Sequence, residues 1–514
     1  MKTLLTFLFC LINFICLEAQ NYVIDKTYGD ENGIAKTGDR NDDERKYLST
    51  FINDTYYLFR NKSNTIYSID QDGNTKQSII DHSLFDATNI TFTKIFTINS
   101  KLYLLGKKEI EGYPDPSSGS KVVNSDIYLF RLNLDLSIDK TFSNNGGILI
   151  DFGGIEYIEN IVLDDNGNLF CIGNYKADYK TLNEVIYFKI KDDGKIDYSF
   201  DSNPNGFKKI SYNSKNSYSL NIIRIKNELF LAGQFITNIN GLNQPRLVLT
   251  KIDNNGNIDT SFDNNGNRII EYSDPNGHTS FSSLKVYNDN IYLLTNWSWS
   301  FASNGSYLTK YNFENNSFDY KAYSYGEKYF KDYKIHKNKI YIGSSNSRRD
   351  YMGQLTISRS NIEDGNLDTT FGEKGILSLA VQGASERIYL DSFYFDSNDR
   401  IVANCDVQFA YHQGPNTTYY TGSVNFRLIE GTLFTKEQSN FNDIKLSPNP
   451  VKDMLTINSK EKIKKIEIFS LDGKLIKNIY KPGNQLNISD LLKGNYIFKL
   501  YIKSDIKTKK IIKI

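Results

Sequence analysis

The chain has 514 residues, 39% of them hydrophobic and 14% aromatic, with 61 Lys and Arg against 60 Asp and Glu. A net charge of +1 excludes long-range steering toward nucleic acid or an acidic partner. The length has room for more than one folded unit, and the abundance of Tyr and Phe favours strands over helices.

The N-terminus reads as a processing signal. Lys2 precedes an apolar run from Leu4 to Leu17, and Leu17-Glu18-Ala19 offers a cleavage site before Gln20. Residues 1–19 are therefore expected to be removed as a signal peptide. Cys16 leaves lipid attachment as a second reading, although Ile15 stands where such sites want a small residue. A membrane-crossing helix needs about 20 apolar residues, and no later segment has them, so no transmembrane segment is expected. Loss of the signal leaves two cysteines, Cys171 and Cys405, and their spacing leaves open whether they pair.

A short phrase then recurs. It reads Ile24-Asp25-Lys26-Thr27-Tyr28-Gly29, Ile138-Asp139-Lys140-Thr141-Phe142, Ile196-Asp197-Tyr198-Ser199-Phe200, Ile258-Asp259-Thr260-Ser261-Phe262 and Leu367-Asp368-Thr369-Thr370-Phe371-Gly372. A second element, a polar turn feeding an apolar run, starts at Asn53, Asn99, Asn166, Lys226, Asn288, Lys337 and Asn398, a period of about 58 residues. A third alternates with period two, as at Asp126 to Leu132, Val185 to Ile190 and Val424 to Ile429. Each unit thus holds about four strands and no helical period, which predicts an all-β, seven-bladed β-propeller over residues 22–431. The lone phrase at Asp25, with no strand before it, is expected to complete the final blade and remove a free sheet edge. An open β-solenoid is the other reading of the same repeat. The phrases around Asp364-Gly365-Asn366-Leu367-Asp368-Thr369-Thr370-Phe371-Gly372 resemble the delta-60 repeat, a bacterial family whose likeness implies a propeller-like architecture more than an activity.

Residues 432–443 are polar and aperiodic and read as a linker. Residues 444–514 carry short strands separated by Asp-Gly and Lys-Gly turns, the pattern of a small β-sandwich. The Pro448-Asn449-Pro450 opening, Ile468 to Leu471 with Asp472-Gly473, Leu491 through Gly494 to Tyr496 and the basic end closely resemble the type A C-terminal sorting domain of the type IX secretion system of Bacteroidota. That resemblance implies passage across the outer membrane with the secretion machinery as partner. It also implies cleavage of the domain, with a cargo released or left on the cell surface. Lysines alternating with isoleucines near the end also suit an ordinary edge strand, so no nucleic-acid partner is inferred.

Catalytic signals are sparse. His82, His278, His336 and His412 show no metal-ligand spacing, and no zinc-protease helix, nucleophile elbow or phosphate loop is present. Asp253-Asn254-Asn255-Gly256-Asn257-Ile258-Asp259 could supply oxygens to calcium, but Asn, Asp and Gly are also what a tight turn requires, and no metal or other cofactor is expected. Features repeated in every blade read as structural, so candidate ligand contacts are sought where the repeat is broken. Trp297-Ser298-Trp299, expected in a loop after the fifth blade's hairpin, and the insertion containing Tyr411, His412, Tyr419 and Tyr420 are those places. An aromatic face with an indole N–H suits a sugar ring, whereas alternating Trp also occurs on ordinary strands. The expected function is a secreted or surface-displayed binding propeller, with glycan as a candidate ligand. The alternative is an extracellular polysaccharide hydrolase or lyase on the same scaffold, which would place two or more unique carboxylates in the central channel.

Overall fold

The computed structural model describes residues 14–16, 22–30, 33–37, 47–60, 64–80, 90–111, 122–143, 145–178, 180–200, 206–212, 216–239, 242–271, 279–300, 303–322, 329–346, 354–381, 387–413, 416–430, 444–459, 462–470, 474–502 and 506–514. Among the described residues there are strands and turns and no helix. The chain divides into two compact units, residues 1–431 and 432–514.

In the larger unit one antiparallel meander of four strands follows another. Tyr47–Ile52, Thr55–Arg60, Thr65–Ile69 and Thr75–Ile79 form the first. The order recurs from Thr91, Ile155, Ser217, Thr279 and Tyr329, and the last meander begins with Arg387–Phe395, Ile401–Gln413 and Asn416–Glu430. The first two strands of most meanders are joined by a two-residue turn in which both residues have positive φ, as at Asn99 (46°) and Ser100 (56°) or Asn288 (46°) and Asp289 (56°). This is the hairpin turn whose twist matches that of the flanking strands. The second strands are buried on both faces, as in Leu169–Lys176, so they read as continuous apolar runs rather than alternating ones.

The last meander takes its outer strands from the N-terminus. Tyr22–Ile24 pairs with Leu428 to Glu430, and Ile34–Thr37 pairs with Ser423 to Phe426. Phe14–Cys16, within the expected signal, adds an extra strand beside Leu379 to Val381. First strands contact those of neighbouring meanders, and Tyr47–Ile52 of the first also contacts Arg387–Phe395 of the last. At that junction Ser397 N–H donates to Asp54 Oδ1 at 2.7 Å, and the Phe51 ring stacks on Tyr394 at 5.4 Å.

The recurring phrase is a hub. Asp139 Oδ1 accepts from the Thr141 N–H (3.1 Å) and hydroxyl (2.6 Å), while Oδ2 accepts from Arg131 Nε at 2.9 Å and pairs with Lys101 at 2.8 Å. The Arg131 guanidinium then lies over the Phe142 ring, 4.6 Å from its centre. Burial raises the Asp139 pKa, but the Lys101 and Thr141 hydrogen bonds and the Arg131 charge outweigh it and hold the carboxyl below its ordinary range. Asp368 repeats the arrangement with Thr370, Arg359, Lys339 and Phe371. At the N-terminus Asp25 pairs with Arg427 at 2.6 Å, and Arg427 lies over Tyr28 at 4.9 Å. The phrase at residues 25–28 therefore belongs to the sheet of residues 387–430, although 402 residues separate Asp25 from Arg427.

Glycines fix the contact with the next meander. A Cβ on Gly256 (φ +71°) would stand 2.1 Å from the Phe200 ring, and one on Gly194 would stand 2.5 Å from the Ser143 nitrogen and 3.0 Å from the Phe142 ring. Gly73 of the first meander packs equivalently on Tyr28 and Gly29. Cys171 and Cys405 are buried, free and in separate core clusters, so they do not pair.

The smaller unit is a two-sheet β-sandwich. Ile444–Ser447, Met454–Ser459 and Gln485–Asn487 make one sheet, and Leu475–Tyr480, Lys465–Ser470, Gly494–Tyr501 and Ile506–Lys513 make the other. Alternating side chains of both, among them Leu455, Ile457, Ile466, Ile468, Phe498 and Leu500, fill its core.

Candidate functional site

Every first strand except that of the first meander is interrupted by a β-bulge. Register shifts fall between Phe92 and Lys94, Ile158 and Asn160, Ser219 and Asn221, Phe281 and Ser283, Phe330 and Asp332, and Leu390 and Ser392. A bulge re-aims a side chain out of the regular alternation, and such sites recur beside active sites. Here the re-aimed positions are largely polar, and they differ from one meander to the next.

These side chains join neighbouring first strands. Lys94 Nζ donates to the Glu159 carbonyl at 2.6 Å and pairs with its carboxylate at 2.5 Å. Asn160 Nδ2 donates to Asn221 Oδ1, and Asn221 Nδ2 donates to the Leu284 carbonyl at 2.8 Å. Lys285 Nζ donates to the Tyr333 carbonyl and lies 3.7 Å from Asp332 Oδ1, while Lys334 lies 2.9 Å from Asp332 Oδ2. Asp391 Oδ2 accepts from Ser49 (3.2 Å), Ser392 (3.3 Å) and Asn404 (3.4 Å).

Burial perturbs several of these groups. It pulls the Lys285 ammonium down to about 8, with Asp332 opposing and Lys334 adding to the shift. It pushes the Asp391 carboxyl up to about 6 against the hydrogen bonds from Asn404, Ser49 and Ser392. Glu156, fully buried at the start of its strand, is pushed up to about 7 by burial, with Asp151 and Asp126 adding and the Gly154 N–H opposing. Lys285 and Asp391 share Asp332 as a neighbour, and perturbed groups gathered in this way mark functional candidates, whereas Glu156 has Asp151 and Asp126 about it instead.

The sequence-predicted contacts lie elsewhere. Trp297 and Trp299 fall on the strand Asn290–Ser300, where Trp297 pairs with Thr279 and Gly305, and not in a loop after the hairpin. The ladder continues past the length expected from the repeat, which converts the presumed loop into strand. Tyr411 pairs with Thr418 and His412 with Thr417 on the equivalent hairpin of the last meander. His336 shares Asp399 with Lys337 and stacks on Phe395, and His82 and His278 lie outside the described residues. Asp253 turns both carboxylate oxygens onto its own turn, accepting from the Asn255 and Asn257 N–H groups and from Asn257 Nδ2. Among the described residues no cluster of three metal-ligating His, Cys, Asp or Glu side chains is found.

In the smaller unit Pro448-Asn449-Pro450 is fastened to the last strand. Asn449 Nδ2 donates to the Lys510 carbonyl at 2.9 Å, and Asn449 Oδ1 accepts from the Ile512 N–H at 2.8 Å. Gly494 opens the strand that carries Tyr496, whose hydroxyl donates to the Leu492 carbonyl at 2.8 Å. Asp472 and Gly473 lie outside the described residues.

Sequence reasoning passed over the bulge positions. Lys94, Asn160, Asn221, Ser283, Asp332 and Ser392 each stand five residues ahead of the first residue of their hairpin turn, at 99, 165, 226, 288, 337 and 397. Aligning the repeats on that turn exposes the column.

No curated protein matches the chain. Similar solved structures include a streptogramin B lyase (11% identity, 79% of this chain and 98% of that one, TM-score 0.37) and Drosophila semaphorin 2a (10%, 91% and 96%, TM-score 0.42). A PL25 ulvan lyase bound to a -[GlcA(1-4)Rha3S]- ligand is a third (10%, 80% and 95%, TM-score 0.38). Likenesses this distant say nothing of activity. Residues 445–514 match the secretion system C-terminal sorting domain. The chain thus carries the type IX tail of proteins that are secreted and attached to the cell surface or released outside the cell.

Proposed function

We propose that residues 22–431 form a closed seven-bladed β-propeller that the type IX system exports to bind an extracellular glycan. Closure is supported by Asp25 with Arg427, Asp54 with Ser397, and Ser49 with Ser392 at 2.6 Å, all joining the two ends of the repeat. On this reading the first strands line an axial channel.

The observation that carries glycan binding is the placement of aromatic residues near the far ends of two long hairpins. The first is no longer than Glu228–Ile239 with Leu242–Ile252, and the second is the longest among the described residues. Asn290–Ser300 with Ser303–Asn312, and Ile401–Gln413 with Asn416–Glu430, extend the second and third strands of their meanders. They bring Trp297 and Trp299, and Tyr411 and His412, to the ends opposite the hairpin turns at 288–289 and 397–400. On a glycan array the secreted chain is expected to retain a defined set of sugars. Trp297→Ala with Trp299→Ala is expected to lose them without lowering the melting temperature. A blank array, or binding indifferent to both substitutions, contradicts this.

The second reading is an extracellular polysaccharide hydrolase or lyase. It draws on Asp332 and Asp391, carboxyls on neighbouring first strands, with Lys285 beside Asp332. New reducing ends or unsaturated products, lost in Asp332→Asn and Asp391→Asn, would establish it. The partners those carboxyls already have within the protein favour binding over catalysis.

A further inference from the structure

We infer that Lys285 and Lys334 form an oxyanion site in the axial channel, one that takes the carboxylate of an acidic sugar. The inference rests on the propeller reading above, since that reading places the first strands around the channel.

Three observations carry it. The first is a charge imbalance, because two ammonium groups share the single carboxylate of Asp332, at 3.7 and 2.9 Å. The next carboxyl, Asp391, already accepts from Ser49, Ser392 and Asn404. The second is spare donor capacity. An ammonium has three N–H donors. Lys285 uses one on the Tyr333 carbonyl, and its 3.7 Å separation from Asp332 is beyond hydrogen-bonding range. Lys334 has one ion-pair partner and otherwise lies over the Tyr394 ring at 3.9 Å. The third is access. Lys285 is hemmed in by protein, yet 35% of its side chain remains open to solvent, and Lys334 and Asp332 keep about a fifth. Groups lining a water-filled passage have this character.

A carboxylate entering between the lysines would share one ammonium each way with Asp332, and its planar oxygens match two donors. Low local dielectric strengthens the attraction. A neutral sugar offers no such compensation. The groups facing the site are Lys285, Lys334, Asp332 and Asp391, with Tyr333 and Tyr394 as ring neighbours. As pH falls from 8.5 to 5.5, Lys285 gains its proton and Asp391 loses its charge, while a uronate stays ionised. Affinity is therefore expected to rise by on the order of tenfold over that span.

The test is calorimetric titration of the secreted chain at low ionic strength with trigalacturonate, maltotriose and acetate. Trigalacturonate is expected to bind, more tightly at pH 5.5 than at 8.5. Lys285→Met and Lys334→Gln are expected to weaken it tenfold or more, while Lys334→Arg retains it. Melting temperatures of all variants separate lost binding from lost folding. Acetate binding as tightly as trigalacturonate would overturn the sugar assignment. Trigalacturonate affinity unchanged in both folded lysine variants, or no binding at all, would overturn the site. Binding of maltotriose or array glycans in that last case would leave the glycan reading standing, and a blank array as well would remove both.

Discussion

The recurring phrase and the bulged first strands are two parts of the same repeat under opposite constraints. At the phrase, Asp, Thr or Ser, and Phe or Tyr return, and in three of the five copies an Arg closes on the Asp: Arg131 on Asp139, Arg359 on Asp368 and Arg427 on Asp25. Lys251 takes that place beside Asp259, and Lys191 pairs with Asp197. At the bulges, the position five residues ahead of the hairpin turn is Lys, Asn, Asn, Ser, Asp and Ser in turn. Every unit must solve the same packing problem, so uniform chemistry marks what holds neighbours together. A ligand meets each unit differently, so varied chemistry within a fixed backbone marks where binding can be built.

The largest effect expected is at the phrase. Arg427→Met breaks the buried pair with Asp25, leaving it Arg400 at 3.8 Å and the Thr27 hydrogen bonds, and Arg131→Met leaves Asp139 with Lys101. Each is expected to cost about 2–3 kcal/mol, read by urea unfolding. A much smaller loss at Arg427 than at Arg131 would break the equivalence of the N-terminal phrase with the others. Next comes Gly256→Ala, expected to cost about 1–3 kcal/mol because the new methyl meets the Phe200 ring. Gly167 has a similar φ of +83° with nothing within 4 Å of its Cβ position, so Gly167→Ala isolates the backbone strain and should cost less. At the bulges Asn221→Ala removes an acceptor from the Ile222 N–H and a donor from the Leu284 carbonyl, for about 1 kcal/mol. A loss as large as that of Arg131→Met would erase the distinction between the two regions.

The smallest effect is one of pH. Glu156 titrates near 7 in the fold against an ordinary 4.5, because burial favours its protonated form. Its contribution is complete below about 4.5 and is lost as pH rises through about 7. Asp391 acts in the same direction between 3.8 and about 6. Glu156→Gln should therefore melt above the parent protein at pH 8, with the two converging near pH 4.5. Parallel melting curves across that range would place the Glu156 carboxyl in ordinary solvent.

Much of the fold was legible because its signals are local. Asn-Ser and Asn-Asp turns announce their hairpins, and the Asp-x-Thr-Phe spacing makes its own hydrogen bonds within three residues. The smaller unit was legible from Pro448-Asn449-Pro450 and its alternating strands. The candidate site was not. A bulge leaves no mark in a strand's composition, and Lys285, Asp332 and Asp391 come together only when strands about 50 residues apart stand side by side. Trp297 and Trp299 drew attention as rare residues, but rarity could not tell strand from loop.

The central claim, that the phrase holds the ring while the bulges meet ligand, is tested most directly by one paired measurement. Arg359→Met and Lys334→Met are compared by melting temperature and by trigalacturonate affinity at a temperature where both are folded. Arg359→Met should lower the melting temperature markedly and leave affinity unchanged, and Lys334→Met should do the reverse. Equal melting losses with equal affinity losses would contradict the account.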